Sequence, residues 1–281
     1  MLHSNFHIHS TFCDGKNTLK EMVQAAIDAG LTDIGFTSHQ PLPYPNDFAM
    51  HEMDAAAYIE EVKRLQAAYA GQIAISLGME IDWFIAQADI GQPAKECLPE
   101  LDFFIGSIHT VGQMQDGVMA DIDYTEDIFR RGIQDCYGGD ATQFVKAYYH
   151  AMGTMAEKLA PDIIGHIDLI KKNNPDNRIF DDTADWYQEA VCTCLDRIAQ
   201  TDCIVEVNTG GMIRYGERCR YPSDFILKEV KKRGIPITVN GDSHSVEAIA
   251  YAYDAMEALI RAMGFEQVML FKKGVWVPED L

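Results

Sequence analysis

Positive charge is what this chain most lacks. Lysine and arginine number 23 against 43 aspartates and glutamates, which leaves a net charge of -20. Broad binding of nucleic acid needs a basic face that displaces counterions, so nucleic-acid partners are not expected. Long apolar runs are missing as well. No stretch approaches the roughly 20 residues of a membrane span, and the sequence does not open on a basic region followed by an apolar one. A soluble, cytoplasmic protein without a membrane partner is the expectation. Cysteine pairs are also absent: the seven cysteines are an odd number, and none stands in C-x-x-C spacing. That pattern speaks against thiolate zinc sites and for reduced thiols. No repeat, low-complexity tract or linker divides the 281 residues, so one domain over 1–281 is expected.

What is present is a full core, with 47% hydrophobic residues, and a regular alternation of elements. Short apolar runs at 6–9, 33–37, 73–78, 101–106, 162–165, 203–207 and 235–239 read as seven strands. Helical patterns fall between them, at 54–70, 141–159, 184–200, 223–233 and 245–263, besides one opened by the capping box Thr18/Glu21. Ser223 reads as a cap, and Lys231, Lys232 and Arg233 suit the C-terminal dipole of their helix. Strand-helix repetition implies a parallel sheet, either doubly wound or closed as a barrel. The segment 110–140, rich in Gly, Asp and Met, reads as an insertion over the mouth of the sheet.

The polar residues decide between the two architectures. His7-x-His9 places two imidazoles on one side of a strand, because side chains alternate with period two. His39, Glu80, His109, His166, Asp242 and His244 follow at the C-terminal ends of later strands. In a (β/α) barrel such ends converge on one point, which an open sheet cannot easily achieve. A distorted (β/α)7 TIM-like barrel is therefore expected. With Asp14 in the loop after the first strand, six histidines and three acids make nine candidate ligands. An N/O set with this much imidazole suits Zn, Mn or Fe better than Mg or Ca. Nine ligands are too many for one ion and suit three divalent ions, provided one carboxylate bridges.

This order of motifs resembles the PHP (polymerase and histidinol phosphatase) family, and within it the members that act on histidinol phosphate. The resemblance spans essentially the whole chain and includes the loop Ser38-His39-Gln40-Pro41-Leu42-Pro43. It implies a seven-stranded barrel with a trinuclear metal site. By position it assigns His7, His9, Glu80 and Asp242 to a first ion and Asp14, His39 and His244 to a second. A third would take Glu80, His109 and His166, with Glu80 bridging. In several relatives the position of Asp14 is a histidine, so this second site is the harder one here. The implied activity is hydrolysis of L-histidinol phosphate to L-histidinol and inorganic phosphate; another small phosphate monoester or a nucleotide is the alternative.

The expected chemistry is in-line attack by a metal-bridging hydroxide on phosphorus, without a phosphoenzyme. Glu80, Asp242 and His244 are the catalytic candidates. Arg214, after Asn208-Thr209-Gly210-Gly211, is the first candidate for the phosphate, since a guanidinium matches phosphate through two parallel hydrogen bonds. Ser107, Gln40 and His51 are further candidates for substrate contact. Asp116, Asp121 and Asp123 are candidates for a substrate ammonium, and Asp168 for orienting an imidazole.

Overall fold

The computed structural model describes residues 2–216 and 219–281. Strand β1 (Ser4–Ile8) leads through α1 (Leu19–Asp28) to β2 (Asp33–Phe36), then through α2 (Ala55–Ala68) to β3 (Ala74–Leu77). Next come β4 (Glu80–Phe84), β5 (Asp89–Ile90), α3 (Gln92–Cys97) and β6 (Ile105–Ser107). The segment expected as an insertion holds the hairpin β7 (Thr110–Gln113) and β8 (Met119–Asp121), followed by α4 (Glu126–Tyr137). After α5 (Ala141–Lys158) the chain alternates β9 (Ile163–Ile164), α6 (Asp185–Ile198) and β10 (Ile204–Asn208). It then forms the short α7 (Met212–Tyr215), α8 (Asp224–Arg233), β11 (Ile237–Asn240) and α9 (Tyr253–Ala262). The final hairpin is β12 (Gln267–Lys272) with β13 (Val275–Asp280).

The fold is α/β, and its central strands pair parallel. One sheet has the order β1-β2-β3; the other runs β11-β10-β9-β6-β4, with β5 antiparallel at its edge. Only Gly78 and Met79 separate β3 from β4. One extended segment therefore pairs with β2 through its first half and with β6 through its second. At the far edges β1 and the segment after β11 also meet. Ile8 bridges Ser243 in parallel, with Ser243 N–H donating to His7 and His9 N–H donating to Ser243, both at 3.0 Å. His39 bridges Glu80 in the same sense.

Helix ends follow local chemistry. Thr18 and Glu21 close a reciprocal capping box at α1, and Leu19, Met22, Val23 and Ala26 bury its apolar stripe. Two expectations need correction. The helix expected over 245–263 is a single 3-10 turn followed by the shorter α9, because Ala252 sits at φ 61, in the left-handed region that no helix can pass through. Ser223 does flank α8, but its side chain makes no cap hydrogen bond; its backbone N–H donates instead to Asp168 Oδ2 at 2.9 Å.

At the N-terminal ends of the strands, Phe6, Phe103, Ile105 and Ile163 form a separate apolar layer with Leu270 and Phe271 of the final hairpin. Trp276 closes it, edge-on to Phe6 at 5.2 Å, with its indole N–H on Asp162 at 2.9 Å. The polar ligands lie at the other end. Among the described residues, no helix is long and apolar enough to cross a membrane, and all seven cysteines are free.

Candidate metal centre

The strands bring all nine expected ligands into one cluster. Period two in β1 carries His7 and His9 to the same side, with ring centroids 5.1 Å apart. His9 stacks on His244 at 3.9 Å and lies 4.4 Å from His39, while His109 and His166 stand 5.2 Å apart. Asp242 adopts φ 45, an unusual conformation for a residue with a side chain. Gly210 permits the approach, since a Cβ there would lie 2.6 Å from that of Asp242.

Most distances within the cluster are those of ligand atoms sharing an ion rather than of hydrogen bonds. The exceptions are at Glu80, whose Oε2 lies 3.0 Å from His39 Nδ1, off line for a hydrogen bond, and whose Oε1 lies 2.8 Å from His166 Nε2. Two ligand atoms about 2.1 Å from one ion at tetrahedral angles lie about 3.4 Å apart. Glu80 Oε2 lies 3.3 Å from His7 Nε2 and 3.5 Å from His9 Nε2. Asp242 Oδ1 lies 3.6 and 3.2 Å from the same two nitrogens. His7 Nε2, His9 Nε2 and Glu80 Oε2 are enclosed and have no hydrogen-bond partner, a costly state that a cation would relieve. Glu80 turns its other oxygen elsewhere, with Oε1 2.8 Å from His166 Nε2 and 3.6 Å from His109 Nε2. Asp14 Oδ1 stands 3.2 Å from His244 Nε2 and 3.9 Å from His39 Nε2. Among the described residues, four overlapping groups could each hold an ion: His9/Asp14/His39/His244, His7/Glu80/His166, His7/His9/Asp242 and His39/Glu80/His109.

For three of the histidines, an acceptor behind the ring settles which nitrogen faces inward. Glu206 Oε1 accepts from His7 Nδ1 at 2.7 Å, Asp82 Oδ1 pairs with His109 Nδ1, and the Asp242 carbonyl accepts from His244 Nδ1 at 2.9 Å. In each case Nε2 is left for the centre. Sequence reasoning missed Glu206 and Asp82. The available signal was a carboxylate at an interior position of an otherwise apolar strand. Asp168, expected in that role, touches no imidazole and binds the N–H of Ser223 instead.

Protonation follows from crowding. Burial pushes Glu80 and Asp242 up, yet the surrounding imidazoles, His39 and His7 above all for Glu80 and His7 for Asp242, hold both well below the usual carboxylate range. Burial works against protonated His7 and His109, but the carboxylates of Glu206 and Asp82 raise them well above the ordinary imidazole value. His9 drops to about 3, first through burial and then through repulsion by His244 and His39.

The centre opens into a cleft of about 340 Å³ lined by Asp14, His39, Glu80, His109, His166, Asp242 and His244. Arg214, exposed on α7, lines the same cleft. So does Lys172, which pairs with Asp123 at 2.9 Å and sits 5.8 Å from the Tyr215 ring centre. Asp121 and Asp123 reach the wall, whereas Asp116 pairs with Arg131 on the surface. Burial first, and then the charge of Asp123, push Asp121 up to about 7. Three residues expected at the substrate stand elsewhere. Ser107 is buried and donates to Glu80 Oε1 at 2.6 Å; Gln40 is buried with both amide atoms unpartnered; His51 is exposed and outside the lining.

The PHP domain family matches residues 5–210. A histidinol-phosphatase of Bacillus subtilis is 29% identical over 262 residues, covering 89% of this chain and 96% of its own length. A Listeria monocytogenes structure, provisionally described as a histidinol phosphatase, shares 24% identity at a TM-score of 0.77, covering 90% of this chain and 99% of its own. The structure of histidinol phosphate phosphatase from Lactococcus lactis, complexed with zinc, L-histidinol and phosphate, shares 21% identity at a TM-score of 0.72, over 98% of both chains.

Proposed function

The chain belongs to the PHP domain family, and from that premise we propose that it hydrolyses L-histidinol phosphate to L-histidinol and inorganic phosphate. The observation that carries this reading is the enclosed cluster of partnerless His7 Nε2, His9 Nε2 and Glu80 Oε2, opening into a small cleft with cations and acids on its walls. A volume of about 340 Å³ is near the lower end for ligand pockets. It suits a small substrate with an anionic phosphate at one end and a cationic amine at the other.

The pairing order supports a distorted seven-stranded (β/α) barrel formed by one domain, residues 1–281. Taken as one segment, β3 and β4 link the two sheets, and the Ile8–Ser243 bridge returns β11 to β1. Segment 110–140 then lies at the mouth through Asp121, Asp123 and Tyr124. Free thiols support a reducing, cytoplasmic compartment.

The ligand set supports three ions: His7, His9, Glu80 and Asp242 for the first, Asp14, His39 and His244 for the second, and Glu80, His109 and His166 for the third. Glu80 offers one oxygen to each of two groups, as a bridge requires. When bound, divalent cations such as Zn, Mn or Fe supply Lewis-acid activation of water and neutralise charge on the phosphoryl oxygens. Arg214 binds the phosphoryl group from the cleft wall. Asp242, which lines the cleft, would take the proton of the attacking water on Oδ2 and return it to the leaving alkoxide, while His244, with Nδ1 on the Asp242 carbonyl and Nε2 turned to the second ion, stays a ligand. No side chain of the cluster serves as nucleophile. Asp14 and Asp242 are engaged as ligands, and Cys13 is pushed up to about 11, by burial and then by Asp14, which keeps it a thiol at neutral pH. The phosphoryl group therefore passes directly to water.

Phosphate release from histidinol phosphate, a nucleoside bisphosphate and an aryl phosphate tests the substrate. Preference for histidinol phosphate in kcat/KM by at least tenfold is expected. Equal or higher kcat/KM on the nucleotide would replace this reading with the alternative one.

A further inference from the structure

We propose that Glu206 is a positioning residue that orients ligands of the first and third ions together and leaves the second alone. This deepens the three-ion reading and rests on it. Glu206 lies inside β10, fully buried, and both its oxygens are saturated. Oε1 accepts from His7 Nδ1 at 2.7 Å and from Asn240 Nδ2 at 2.9 Å. Oε2 accepts from the backbone N–H of His166 and from Asn208 Nδ2, both at 2.9 Å. Asn208 Nδ2 also lies 3.3 Å from Asp242 Oδ2.

A carboxylate only accepts, so His7 must donate through Nδ1 and present the lone pair of Nε2 to the centre. The same group anchors the backbone beneath His166 and, through Asn208, steadies Asp242. The ligand-bearing ends of three strands, β1, β9 and β11, thus meet at one buried charge carried by β10. Asp14, His39 and His244 are not among its hydrogen-bond partners. Asp82 plays a narrower part, because His109 is the only ligand it holds.

Metal retention separates these roles. Zinc-loaded wild type, Glu206→Gln, Glu206→Asp and Asp82→Asn are equilibrated against graded chelator, zinc per chain is counted by elemental mass spectrometry, and anomalous diffraction identifies the emptied position. The first and third ions of both Glu206 variants should leave at free zinc about 10- to 100-fold higher than in wild type, with the second ion unchanged. Asp82→Asn should weaken the third alone. Wild-type retention of all three ions in a Glu206 variant overturns the proposal, as does joint loss of all three, the mark of a merely structural residue. If circular dichroism shows Glu206→Gln unfolded, Glu206→Asp decides. If neither folds, long-range proton-nitrogen spectra of zinc-loaded wild type decide: a proton on His7 Nδ1 supports the proposal, and one on Nε2 overturns it. A wild-type count below three overturns the three-ion reading separately. Glu206 is then judged by whether its variants weaken the ions bound through His7 or His166.

Discussion

Single residues made the candidate ligand set legible, because most of its members follow a strand, Glu80 opens one after a two-residue break, and the spacing of His7 and His9 already forces a common side. Glu206 and Asp82 were illegible for the complementary reason. They lie inside strands, where the sequence shows an acid among apolar neighbours but not which imidazole stands across the sheet. Arg214 carries a prediction at this scale. It lines the cleft, so Arg214→Ala should weaken binding of substrate and of inorganic phosphate while leaving the metal count unchanged. The loss of a charge-assisted pair is about 2–3 kcal/mol, on the order of 30- to 150-fold in Kd. Isothermal titration with phosphate checks this, and unchanged affinity would make Arg214 an ordinary surface residue. Cys13 gives another. Its Sγ lies 3.5 Å from His9 Nδ1, near the reacting centre, yet it stays protonated. Cys13→Ser should keep kcat within about threefold, which is about 0.6 kcal/mol in barrier. A chirally labelled thiophosphate ester should be hydrolysed with inversion at phosphorus; retention would require a covalent intermediate on this chain.

Elements were legible where periodicity and caps agreed, as in α1 with its Thr18/Glu21 box and in α5 over Ala141–Lys158. They were not legible where one residue's backbone overrides the pattern. The apolar spacing of 245–263 continues through Ala252, but its positive φ divides the stretch, and nothing in an alanine announces that. The continuation of β3 into β4 was hidden by Gly78, which interrupts the apolar run, and the final hairpin by the mixed polar and apolar residues of its strands. That hairpin supports the fold from the end opposite the metal centre. Trp276 packs edge-on against Phe6 and Phe103 and binds Asp162. Trp276→Ala should cost about 2–3 kcal/mol, below the range for fully buried aromatics because the ring is only partly covered. For a chain of this size that lowers Tm by roughly 4–12 °C. Calorimetry measures the shift, and kcat/KM should stay at the wild-type level. A parallel fall in activity would mean that the hairpin also shapes the cleft.

For the whole molecule, the charge of -20 includes three inward-facing carboxylates of the candidate centre, Asp14, Glu80 and Asp242, which bound cations would neutralise. Without metal, protons take over some of that work. His7, His39 and His109 have pKa values raised by facing carboxylates despite burial, so their protonated forms stabilise the metal-free fold. That stabilisation is complete below about 6.5, the ordinary imidazole value, and is lost as pH climbs through the raised values. Glu80 and Asp242, depressed by the imidazoles, act in the opposite sense and lose their contribution only in acid. The metal-free protein should therefore melt at lower temperature at pH 9 than at pH 7, by roughly 2–4 °C per kcal/mol lost. Metal-loaded protein should show no such fall, because cations replace the protons. A scan of Tm against pH with and without chelator reads both. The most direct test of the account titrates metal-free protein with zinc, manganese or iron while following bound metal and phosphate release from L-histidinol phosphate. Activity is predicted to be absent at the start and to reach its plateau only as the third ion binds per chain. Full activity with a single ion bound, or no release of phosphate at any occupancy, would contradict it.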